Sequence, residues 1–146
     1  MFVMCWIYFD FVGNGKPKNT KLSTLVVWWL AHLLLMLCGV MVGVALAAEV
    51  KVGFWEPYPT AYAAVGCFGL AGYIAMLWVL QHVIEHRVAS DYGRWYVRLF
   101  GIILAIATYF TVPYVPALVG NVLWGTALVS QIAIPVTRAW LKFRYE

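Results

Sequence analysis

Charge is what this chain has least of. Ten Lys and Arg and six Asp and Glu are the only charged side chains in 146 residues, 11% of the sequence. A soluble domain carries about 25%, and so few charges cannot cover a water-facing surface. Paired cysteines are also missing. Cys5, Cys38 and Cys67 form no C-x-x-C, which excludes a zinc ribbon and a thioredoxin-like pair. There is no internal repeat, no low-complexity tract and no Gly/Ser linker, so residues 1–146 read as a single transmembrane domain. The net charge of +4 would suggest nucleic acid in a soluble chain. Here the basic residues sit between apolar runs, where they set membrane orientation, and no nucleic-acid partner is expected.

What the chain does have is apolar length. It is 64% hydrophobic and 17% aromatic, and several stretches exceed the roughly 18 residues that mark a spanning helix. The expected fold is an all-α integral membrane protein with four transmembrane helices. The spans fall at about 22–48, 60–82, 97–112 and 117–137. The last two share one apolar stretch. "VPYVP" (112–116) divides it, because Pro113 and Pro116 lack an N–H and disfavour helix in the preceding residue. The expected result is a helical hairpin. The first span is about twice the length of a signal-peptide core, so it reads as a retained helix. The N-terminal "MFVMCWIYFDFV" is too short to span. It is expected to be an interfacial apolar arm, with Asp10 arguing against deep insertion.

Orientation follows from Lys and Arg. Lys16, Lys18 and Lys21 flank the first span, Arg87, Arg94 and Arg98 are assigned to the middle loop, and Arg138, Lys142 and Arg144 to the tail. The first loop holds Lys51 alone, and the proline turn holds none. The positive-inside rule then places both termini in the cytoplasm, matrix or stroma, in a bacterial inner membrane or an organellar inner membrane. By this threading all six acids, Glu49 among them, lie in flanks or loops. A membrane-embedded carboxylate for a proton-coupled pump is therefore not expected.

Histidines are the candidate chemistry. "QHVIEHR" (81–87) contains H-x-x-E-H, the inverted zincin pattern, so His82, Glu85 and His86 are candidate metal ligands. The set lacks a third His or Cys nearby, and the expected reading is the water-exposed end of the second span, with no metal. His32 is about ten residues into the first span, about 15 Å deep at 1.5 Å per residue. It is expected to face a helix interface and bond to a hydroxyl, with Thr108 and Thr126 at similar depth. A proton path or a single axial ligand to haem or chlorin are the functional alternatives for His32. No cofactor is expected.

Small residues mark candidate helix-packing positions: Gly39 and Gly43 in a GxxxG, and Gly66, Gly69 and Gly72 in the second span. The function expected from these readings is a small non-catalytic membrane subunit of a larger assembly, in contact with the lipid bilayer and other membrane subunits. A small homo-oligomeric channel, pore or holin-like protein is the alternative. A haem- or metal-binding redox membrane subunit comes third.

Overall fold

A computed structural model describes residues 2–9, 12, 15–85 and 95–145, with side chains described through 134 and at 137. Among the described residues there are five α-helices: α1 (Phe2–Tyr8), α2 (Leu22–Val52), α3 (Thr60–Val83), α4 (Trp95–Thr111) and α5 (Ala117–Tyr145). A single 3-10 turn, Val112–Tyr114, separates α4 from α5, with Pro at its start. No strand occurs among the described residues, only two isolated bridges. Four of the helices are long and apolar enough to cross a membrane. α2 runs on past Ala48 and stops at Gly53, whose φ of 102° is left-handed and suits glycine at a helix C-terminus.

α3 is the centre of the bundle. Its apolar window is 56% buried, against 28–33% for the other three long helices. It packs on α2 and on α4, and α4 packs on α5. Three glycines make the α2–α3 seam close. A Cβ on Gly69 would lie 2.9 Å from the Met41 Cβ and 3.2 Å from the Cys38 carbonyl oxygen. One on Gly72 would lie 2.7 Å from the Cys38 Sγ, and one on Gly66 would lie 2.8 Å from the Ala45 Cβ and collide with the Trp124 indole. Such glycines let backbones approach where lipid gives no hydrophobic drive. Gly39, by contrast, opens onto space, with nothing within 4 Å of a Cβ. The buried face of α2 instead runs through Ala31, Leu35, Val42, Ala45 and Glu49, the spacing of one helical stripe.

Short main-chain pairings tie each end of the bundle. At one end Lys18 N donates to Val83 O (2.9 Å) and Glu85 N to Lys16 O (2.8 Å), with Pro17 opposite Ile84. At the other, Ala117 N donates to Glu56 O (3.0 Å) and Leu118 N to Phe54 O (3.1 Å), with Pro57 opposite Pro116. These last bonds satisfy N–H groups that the first turn of α5 would otherwise leave unpaired.

The N-terminal segment departs from the expected interfacial arm. α1 does not lie across the end of the bundle. Met4 and Ile7 are buried members of the main core cluster. The Tyr73 hydroxyl, near the middle of α3, donates to the Met4 carbonyl at 2.5 Å. α1 also packs against α5. The reason is local: Met4 and Ile7, three apart, form an apolar face that the bundle can bury, while Phe2, Trp6 and Phe9 point outward. Asp10 lies outside the described residues.

Candidate functional site

Two buried polar clusters stand out, one near each end of the bundle. The first is built on Glu49, in the last turn of α2 and 3% exposed. Tyr58, in the loop between α2 and α3, places its hydroxyl 3.1 Å from Glu49 Oε2 and 3.0 Å from the Ala45 carbonyl. That hydroxyl carries one hydrogen, so it donates to only one of these oxygens at a time. Asn121 of α5 donates its side-chain N–H to Glu49 Oε1. The Tyr58 ring lies tilted on Trp124, centroids 5.7 Å apart. Burial, and after it the Glu49 charge and hydrogen bond, push the Tyr58 phenol above its ordinary pKa. A cavity of about 140 Å³ abuts this cluster, bounded by Met4, Val42, Leu46, Leu70, Asn121 and Trp124, among others.

The second cluster is built on Arg98, in the first turn of α4 and 1% exposed. Its Nη1 donates to Gln131 Oε1 at 3.0 Å, and its Nε reaches Gln81 Oε1 at 3.4 Å. Gln131, fully buried on α5, directs its Nε2 to the Val97 carbonyl (3.0 Å), the Ala127 carbonyl (3.2 Å) and Ser130 Oγ (3.2 Å). Gly101 makes room for it, since a Cβ there would overlap the Gln131 amide. The cluster joins α3, α4 and α5.

Both clusters correct the threading of the polar residues. Arg98 belongs to α4 and is buried, so it is not a middle-loop charge. The described helix runs over Trp95–Thr111, and its turn carries Arg98 inward beside Val97. Glu49 is not a solvated flank, because α2 continues past it and Tyr58 and Asn121 enclose its carboxylate. Arg98 could have been suspected from its place at the very start of an apolar run. Glu49 offered less, since its partners come from a loop and from α5.

The histidines are placed differently from the clusters. His32 is half-buried, and its Nδ1 lies 2.7 Å from the Trp28 carbonyl, one turn back in α2. Its ring meets Tyr8 of α1 edge-on at 6.0 Å and Trp28 at 4.4 Å. The expected hydroxyl partner is therefore replaced by a backbone carbonyl. Thr108 and Thr126 donate to Leu104 O and Val122 O on their own helices, at 2.7 and 2.8 Å. His82 is exposed and likewise sits 2.8 Å from the Trp78 carbonyl. Glu85 is exposed, and His86 lies outside the described residues. Among the described residues no three His, Cys, Asp or Glu gather as metal ligands would. Among the described residues the two clusters offer hydrogen bonding around a buried carboxylate, Glu49, and a buried guanidinium, Arg98.

No family model matches the chain, and no curated protein or solved structure is similar to it.

Proposed function

We propose that this protein is a small non-catalytic membrane subunit that packs within a larger membrane assembly. On this reading α2, α3, α4 and α5 each cross the bilayer and the last two form a hairpin. The basic segment at Lys16, Lys18 and Lys21, the middle loop and the C-terminal end face the cytoplasm, matrix or stroma, and α1 turns back from that side into the bundle, where Met4 is buried beside Tyr73. Without Arg98, the residues behind that orientation are Lys16, Lys18, Lys21, Arg87, Arg94, Arg138, Lys142 and Arg144, against Lys51 alone. The membrane is a bacterial inner membrane or an organellar inner membrane.

The observation that carries the reading is an open groove on α5. Val122, Gly125, Thr126, Val129, Ser130 and Ala133 line about 440 Å³ of it. A Cβ on Gly125 would meet nothing within 4 Å, whereas the α3 glycines are filled by α2 and Trp124. Small residues on a bundle's outer face admit a helix from another chain.

The test is the size and composition of the protein extracted in mild detergent, alongside Gly125→Leu. A complex containing other polypeptides, lost in Gly125→Leu with helix content unchanged, is the expected result. A single chain of monomer size overturns the reading. A complex of this chain alone overturns it too, and favours a homo-oligomeric channel or pore.

A further inference from the structure

A different groove lies between α1 and α2. It measures about 320 Å³ and is walled by Tyr8, Leu35, Met36, Gly39, Val40 and Tyr73. Tyr8, one of its walls, also meets the His32 ring edge-on. Gly39 keeps it open, because no atom lies within 4 Å of the place a Cβ would occupy. A second apolar hollow, lined by Leu25, Val26, Trp29 and Leu30, lies nearer the start of α2. Leu25, Trp29, Leu33, Met36 and Val40 follow one another every three or four residues, so the two hollows share one stripe of α2. Trp29, Leu33, Met36 and Val40 on that stripe are all more than half exposed. From Leu25 to Val40 it runs roughly 22 Å at 1.5 Å per residue. One leaflet of hydrocarbon is about 15 Å, half of a ~30 Å core. The track is long enough to carry a chain through a leaflet.

Charge sits at the start of the track. Lys16, Lys18 and Lys21 are exposed in the loop that joins α1 to α2. The loop is held in place by Lys18 N to Val83 O and Glu85 N to Lys16 O. Glu85 is the one described acid at this end, against three lysines. Basic residues just outside an apolar segment attract anionic lipid at about 1 kcal/mol each.

We propose that this groove is a binding site for an anionic phospholipid: the phosphate headgroup lies on Lys16, Lys18 and Lys21, and one acyl chain follows α2 into the space beside Gly39. The inference goes beyond the assembly reading and uses another face of the protein. A helix partner needs no lysine pair with phosphate, and a zwitterionic lipid gains nothing from three like charges.

The experiment is native mass spectrometry of the single chain in detergent, titrated with phosphatidylglycerol or phosphatidylcholine of the same acyl composition. Phosphatidylglycerol should bind at least tenfold more tightly. The combined Lys16→Gln, Lys18→Gln and Lys21→Gln variant should reduce its binding to the phosphatidylcholine level. Gly39→Leu, which fills open space, should weaken binding of both lipids about tenfold, and Met36→Trp on the exposed wall is a second filler. Equal binding of the two lipids overturns the headgroup assignment. Unchanged binding in both filled variants overturns the groove and leaves only ordinary annular lipid. Because the readout is on the dissociated chain, its failure is separate from any failure of the assembly reading.

Discussion

The Glu49 and Arg98 clusters solve one problem in two ways. Each holds an ionisable side chain away from water, where an uncompensated charge is costly. The described partners of Arg98 stand on helices: Gln81 on α3 and Gln131 on α5, with Arg98 itself on α4. Glu49 depends on a loop, since Tyr58 lies outside every helix and reaches back over the end of α2. A helix-borne cluster moves only if whole helices move. A cluster closed by a loop residue can open by local motion. The Arg98 site is thus the deeper anchor and the Glu49 site the softer one.

The largest expected effect comes from removing the anchor. Arg98→Ala should destabilise the protein by about 3–5 kcal/mol, the range for breaking a buried charged network by deleting one partner. Unfolding in mixed detergent micelles measures it. A loss below that of Glu49→Ala would invert the comparison.

Glu49→Ala should cost less, about 1–3 kcal/mol, because it leaves the Asn121 amide and the Tyr58 hydroxyl without their carboxylate. Tyr58 still has the Ala45 carbonyl within reach, which softens the loss. Tyr58→Phe should cost about 0.5–1.5 kcal/mol, the net value of a single hydrogen bond. It should also raise proteolysis within residues 53–59 if the loop is the moving part.

Combining Glu49→Ala with Arg98→Ala sharpens the contrast further. Among the described residues the clusters share no partner, so the two losses should add to within about 0.5 kcal/mol. A larger coupling would mean that the two ends communicate through α3 or α5. The smallest effect is expected at His82. His82→Ala should change stability by less than about 0.5 kcal/mol, since its ring is exposed and bonds only to its own helix.

Much of the helix content was legible before any coordinates. The apolar run lengths and the Pro113–Pro116 interruption are local signals, and four long apolar helices and a turn at Val112–Tyr114 stand where they point. The stacked small residues of "GCFGLAG" also carried information, because only small side chains permit a close seam. The GxxxG of the first span did not discriminate. Gly39 lies four residues before Gly43 but faces open space, and nothing in the motif says which face α3 will choose. The polar sites were hidden for a related reason. Arg98 was legible as a basic residue at a span end, but its burial depends on Gln81 and Gln131, 17 and 33 residues away. Glu49 depends on Asn121, 72 residues away.

By itself, then, the sequence determined how many long apolar helices this protein has, where they are interrupted and which of their ends are basic. Those properties follow from side-chain hydrophobicity and backbone chemistry over one turn or one span. Tertiary structure alone decided that α1 tucks beside α3 through the Tyr73 hydroxyl, that Glu49 and Arg98 are enclosed, and that Gly39 and Gly125 remain open. Each of these depends on how one helix is rotated against another. A single apolar helix, greasy on every side, carries no periodic signal to set that rotation. It is set by which glycines meet which backbones and which few polar groups find partners.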